Sequence, residues 1–231
     1  MAEFEIPFTK VCGVTKIEDL EILARSNVQA VGINLVPTSP RYVEPDAACK
    51  LLEAAGELDL YRVVVLRNAS TIELGNLLTR LKPDCVQFHG SELPEVAERC
   101  GDLDVIKAVS WSGRTEESEL CEAWRAAAAD SPEIGDRLRA FLVDAYAPAE
   151  GGGTGKQARW DLLEPRPDVL AGIPLILAGG LTAKNVYDGI LETRCDGVDT
   201  ASGVELEPGV KSEVMIQQFS LAANHGFARK W

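Results

Sequence analysis

Leu175-Ile-Leu-Ala-Gly-Gly-Leu181 and Gly197-Val-Asp-Thr-Ala-Ser-Gly-Val204 decide the fold. Each is a short apolar run that breaks into glycine or serine where a strand would end. Glycine there lets backbone N–H groups close around an anion. Phosphate loops after the seventh and eighth strands are a recurring property of the (β/α)8 barrel. The competing architecture, an open doubly wound sheet, carries a G-x-G-x-x-G turn after its first strand. The first apolar run here ends in Val11-Cys-Gly-Val14, which lacks that spacing. The glycine distribution therefore favours the barrel.

Outward from those loops, apolar runs alternate with amphipathic stretches along the whole chain. Strands are expected at Phe8–Cys12, Ala30–Leu35, Tyr61–Leu66, Cys85–His89, Val105–Val109, Ala140–Asp144, Leu175–Ala178 and Gly197–Thr200. Several are nearly continuous in Val, Ile and Leu, as parallel strands covered on both faces require. Helices are expected near 17–26, 45–55, 70–81, 92–100, 115–129, 157–163, 182–192 and 211–223, with cap signals at Thr15, Ser70 and Ser91. No Pro/Gly/Ser-rich break separates two halves. The reading is one α/β domain over 1–231, a single (β/α)8 TIM barrel.

The 231 residues carry 36 Asp and Glu against 23 Lys and Arg, a formal net charge of -13. Such a surface disfavours nucleic acid and anionic membranes, since neutralising phosphates takes clustered cations. An anionic substrate must be held by a local device against that field. The start shows no secretory signal, and the apolar runs are too short to cross a bilayer. Six scattered cysteines without a Cys-x-x-Cys pair read as reduced thiols in a cytoplasmic protein. Two histidines and no His/Cys cluster argue against a metal.

Catalytic groups of a barrel sit at the C-terminal strand ends. Cys12 ends the first strand and shares a face with Lys10, whose ammonium would favour the thiolate. An isolated cysteine is otherwise a small buried hydrophobe. Asp144 closes an apolar strand, where a carboxyl is either a loop cap or a general acid. Arg41, after strand two, suits a carboxylate through its planar fork. His89 closes strand four and is as readily a structural group as a substrate contact. Three segments suit phosphate: Gly151–Lys156 with Gly153 at its centre, Gly179-Gly180, and Ser202-Gly203. The first is not an ATP-binding loop, because Gln157 follows the lysine.

Taken in order, Lys-Val-Cys-Gly (10–13), Thr-Ser-Pro-Arg-Tyr-Val (38–43), Asn-Ala-Ser (68–70) and Val-Gln-Phe-His-Gly (86–90) resemble the phosphoribosylanthranilate isomerase family. So do Val-Asp-Ala (143–145) with Gly-Gly-Thr-Gly-Lys (152–156), Leu-Ala-Gly-Gly-Leu (177–181) and Ser-Gly-Val-Glu (202–205). The resemblance covers nearly the whole chain. It implies a cofactor-free and metal-free barrel, monomer or homodimer, that takes a small phosphosugar. The implied reaction is the Amadori rearrangement of N-(5-phosphoribosyl)anthranilate in tryptophan biosynthesis. By the same resemblance Cys12 is the general base, Asp144 the general acid, Arg41 the anthranilate carboxylate contact, and Gly179, Gly180, Ser202 and Gly203 the phosphate holders. Two positions depart from the family pattern. Ala201 stands where a second serine is common, and Arg67 stands in the usual apolar pair before Asn68. Another phosphosugar isomerase or epimerase barrel, or a non-catalytic phosphate-binding barrel, remain as alternatives.

Overall fold

The computed structural model describes residues 2–144 and 159–230. Eight parallel strands close into a barrel in sequence order, the last pairing with the first. They are β1 (Phe8–Cys12), β2 (Ala30–Asn34), β3 (Tyr61–Leu66), β4 (Cys85–Phe88), β5 (Asp104–Ser110), β6 (Leu138–Asp144), β7 (Leu175–Ala178) and β8 (Gly197–Thr200). Around them run α1 (Ile17–Arg25), α2 (Pro45–Glu57), α3 (Thr71–Leu81), α4 (Thr115–Asp130), the single turn α5 (Pro132–Gly135), α6 (Val186–Thr193) and α7 (Glu213–Lys230). A two-stranded antiparallel ribbon, β9 (Glu205–Glu207) with β10 (Val210–Lys211), follows β8.

Strand period two divides the side chains into two cores. Val11, Ile33, Val64, Val86, Val143 and Val198 face outward into the layer beneath the helices. Phe8, Tyr61, Val63, Ile106, Leu142 and Ile176 fill the barrel. At its N-terminal end Phe4 stacks on Phe8 with ring centroids 4.6 Å apart. Beside them the Tyr61 hydroxyl donates to Asp104, which also accepts from Arg139 Nε at 2.7 Å. That end is plugged by aromatic rings and an ion pair. The C-terminal end is left for chemistry.

β1, β3, β7 and β8 have the bounds their sequence predicts. β2 and β4 stop one residue short, yet the Leu35 N–H still donates to Val65 and the His89 N–H to Leu66. β5 and β6 are longer than expected, taking in Asp104, Ser110 and Leu138-Arg139. The expected helix at 92–100 is a 3-10 segment, Pro94–Cys100, and that at 157–163 is the 3-10 turn Trp160–Leu162, with 157–158 outside the described residues. α6 starts later than predicted because the Thr182 N–H donates to the Asn185 side chain at 2.7 Å, making a turn first. α7 begins after Lys211, which belongs to the ribbon, and continues to Lys230.

Of the three cap signals, Ser70 alone acts as one. Its hydroxyl accepts from the Glu73 N–H while the Glu73 carboxylate accepts from the Ser70 N–H, a capping box on α3. Thr15 instead donates to the Gly209 carbonyl at 2.7 Å, tying the start of α1 to the ribbon. Ser91 donates to Asn68 across the β3 and β4 loops. Ser70→Ala should therefore lower the unfolding free energy by about 1 kcal/mol in urea titration, whereas Ser91→Ala leaves helix content unchanged.

Candidate active site

A cavity of about 550 Å³ opens at the C-terminal strand ends. Cys12, Arg41, His89, Asp144, Gly179, Gly180 and Ser202 line it together. Gly153 lies outside the described residues. Gly203 is buried behind Ser202 rather than on the wall. A Cβ there would stand 1.8 Å from the Leu181 carbonyl oxygen, so glycine is what lets the loops after β7 and β8 touch.

Cys12 closes β1 and is 8% exposed. Two residues below it on the same face is Lys10, fully buried and donating to Asp199 Oδ1 at 2.9 Å. Gly32 is the β2 partner of Cys12, and its missing Cβ leaves the room both groups occupy. A methyl there would come within 2.7 Å of Cys12 Sγ and 3.0 Å of Lys10 Nζ. Burial works against the Lys10 ammonium, yet Asp199 and Cys12 outweigh it and hold its pKa above the ordinary value. Burial pushes the Cys12 thiol up and Asp199 adds to the rise, while Lys10 and Lys211 pull it down. Lys10 thus favours the thiolate as strand parity implies, but the net shift is upward because desolvation is the larger effect.

Arg41 reaches the cavity from the loop after β2, its stem lying across Gly13 at φ 72°. Its Nε and Nη2 donate to both oxygens of Glu205, at 2.8 and 2.6 Å. Glu205 also accepts from Lys211 Nζ at 2.7 Å. Burial of Glu205 is opposed by both cations, which hold its carboxyl below the usual range. Lys211 further donates to the Cys12 carbonyl at 2.6 Å and the Ala201 carbonyl at 3.1 Å. One ammonium therefore clamps the end of β1 to the end of β8.

The His89 ring is tied to the side-chain amide of Gln87, with ring Nδ1 and amide Nε2 3.0 Å apart. Burial pushes its pKa down while Asp144 opposes, so the ring is neutral at pH 7. Asp144 closes β6, half-buried, with Leu142 and Ala178 on the same cavity wall. Directly after Ala178, the β7 partner of Asp144, Gly179 and Gly180 adopt φ of 89° and 66°, a conformation that side chains with a Cβ rarely take. Thr200 Oγ1 donates to the Leu181 carbonyl at 2.7 Å and so links the β7 and β8 loops.

The model of the N-(5'-phosphoribosyl)anthranilate (PRA) isomerase family matches residues 9–221. The N-(5'-phosphoribosyl)anthranilate isomerase of Rhizobium etli is 37% identical over 221 residues, covering 92% of each chain. That of Xanthomonas campestris is 36% identical over 210 residues, covering 91% of this chain and 90% of its own. The chain belongs to the phosphoribosylanthranilate isomerase family. Among solved structures, the Thermotoga maritima enzyme superposes with a TM-score of 0.76 at 30% identity, covering 94% of this chain and 98% of that one. The Thermus thermophilus enzyme gives 0.73 at 32% identity, with the same coverage. A further isomerase structure, at 28% identity, TM-score 0.73 and the same coverage, holds reduced 1-(o-carboxyphenylamino)-1-deoxyribulose 5-phosphate.

As a member of that family the chain is an isomerase of tryptophan biosynthesis. Its site contains groups that the motif reading did not assign. Asp199 is an acid inside a buried strand, the same signal that picked out Asp144, and it faces Lys10 in register across the β1–β8 seam. Glu205 was within a quoted motif but had no visible partner. Its ties to Arg41 and Lys211 depend on a ribbon whose short strands carry no clear alternation. Gln87 shares the inward face of β4 with His89.

The cluster makes a pH prediction for this isomerase. Asp199→Asn removes an anion that raises the Cys12 pKa, so the pH midpoint of Cys12 alkylation, followed by peptide mass mapping, should fall. The double variant Lys10→Met with Asp199→Asn keeps the buried charge balanced but loses the cation. Its midpoint should lie above that of Asp199→Asn alone.

Proposed function

We propose that the isomerisation is carried out by Cys12 as general base and Asp144 as general acid, on a phosphosugar whose phosphate sits at Gly179, Gly180 and Ser202. One observation carries this: a thiol from β1, a carboxyl from β6 and the glycine loops of β7 and β8 line a single cavity. In the proposed course, Asp144 gives a proton to the ring oxygen of the aminofuranose. The C1–O bond breaks, and the anthranilate nitrogen lone pair forms an iminium with C1. That cation acidifies the C2 proton, which the Cys12 thiolate removes. The C2–H electrons form the C1–C2 double bond and the iminium pair returns to nitrogen. The enolamine then tautomerises to the 2-ketone, C1 gaining a proton as the 2-hydroxyl loses one. Substrate and product are isomers, so no cofactor is required by the balance.

The Cys12 thiolate is a minor form at neutral pH, and the Lys10 ammonium is what favours it. Neutral His89 and the Arg41 guanidinium line the path to the aryl end, where Arg41 is proposed to meet the anthranilate carboxylate. The whole chain is taken as one barrel domain working in the cytoplasm, as monomer or homodimer.

The test follows the loss of anthranilate-type fluorescence when purified protein meets freshly generated N-(5-phosphoribosyl)anthranilate. Cys12→Ala and Asp144→Asn should each lower kcat by about 10²–10⁴-fold, with binding of the reduced product analogue retained. Turnover that survives both substitutions would discard the assignment of base and acid.

A further inference from the structure

The substrate class named above carries a phosphate and a carboxylate, and the described cavity wall offers few cations to receive them. The two acids on the wall are Asp144 and Asp199, and the two permanent cations are Arg41 and Arg67. Asp199 is engaged by Lys10. The Nε–Nη2 edge of Arg41 is engaged by Glu205, leaving the two Nη1 hydrogens and one on Nη2 for a ligand. Arg67 is exposed and has no ion pair or hydrogen bond to any described residue.

Arg67 is nonetheless held in place at its backbone. It follows Leu66 at the end of β3, and Asn68 turns the chain at φ 51°. The Asn68 N–H donates to Glu92 at 2.6 Å, and its side chain accepts from the Ser91 N–H at 2.9 Å. Glu92 is in turn fixed by buried Lys107 at 3.1 Å. An unpaired guanidinium is thus presented from a braced loop.

Barrel order gives that position its meaning. With eight strands in sequence order, the β7–β8 edge lies diametrically opposite the β3–β4 edge. A ligand whose phosphate occupies the β7 and β8 loops extends its far end toward β3. Arg67 also borders a second pocket of about 510 Å³, whose walls include Leu35, Pro37, Tyr42 and Leu77. Apolar surface beside a free cation suits an aryl ring bearing a carboxylate.

We propose that Arg67 binds the carboxylate on the aryl end of the substrate and is a specificity-determining residue of this chain, alongside the remaining donors of Arg41. The inference rests on the phosphosugar–arylamine reading above. A guanidinium–carboxylate contact is strong enough to discriminate against a ligand that lacks the acid.

Binding calorimetry with two stable probes tests it: 1-(2-carboxyphenylamino)-1-deoxyribitol 5-phosphate and its phenylamino counterpart without the carboxyl. Arg67→Leu should weaken the carboxylated probe by about tenfold and the other by less than about twofold. Arg67→Lys, which keeps the charge without the fork, should fall between, and the gap should narrow as salt rises. Equal weakening of both probes would assign Arg67 to the phosphate or to the general field and overturn the proposal. No weakening of either would overturn it as well. Failure of the parent protein to bind either probe would instead overturn the reading of the site on which the proposal stands.

Discussion

The buried pair of Lys10 and Asp199 is the constraint on which the site depends. The two residues are direct partners across the seam where β8 closes on β1, 189 positions apart in the chain. Both sit inside the barrel, immediately beneath the catalytic mouth. Neither charge is tolerable there alone, because an unpaired buried ion costs several kcal/mol. Closing the barrel in the right register is thus also what neutralises Lys10. The same ammonium is the cation that favours the Cys12 thiolate, so barrel closure also brings that cation to Cys12.

A second set of contacts extends that coupling to the loops. Lys211 holds the carbonyls of Cys12 and Ala201, and its partner Glu205 holds Arg41. The β9–β10 ribbon therefore joins Cys12 at the end of β1, Ala201 after β8 and the arginine of the β2 loop. Ala201 contributes its backbone carbonyl to this clamp. The loss of a hydroxyl at that position leaves the clamp untouched.

The acidic surface and the anionic substrate are reconciled at short range. A net charge of -13 repels a phosphorylated carboxylate at a distance. Within the mouth, Asp199 is cancelled by Lys10, and the glycine loops offer backbone dipoles that carry no counter-charge. Screening limits the long-range field to about a Debye length, so the local groups dominate once the ligand has entered.

Much of the fold was legible because its signals are local. Short apolar runs marked all eight strands, several of them nearly continuous in Val, Ile and Leu, and glycine marked the ends of β7 and β8. Cys12, Asp144, Arg41 and His89, which line the mouth together, were legible because each ends a strand or lies in the loop that follows. Helix type was less legible: the segments after β4 and β6 read as amphipathic, yet the described turns there are 3-10, since residue pattern reports burial rather than hydrogen-bond spacing. Pairing was not legible at all. That Lys10 meets Asp199, that Arg41 meets Glu205, and that Arg67 has no partner among the described residues are facts about strands and loops far apart in sequence. By itself the amino-acid order determined which residues have the chemistry to act and which end of each strand carries them. Only barrel closure decided which charges cancel and which are left to meet a ligand, because electrostatic pairing depends on distance in space.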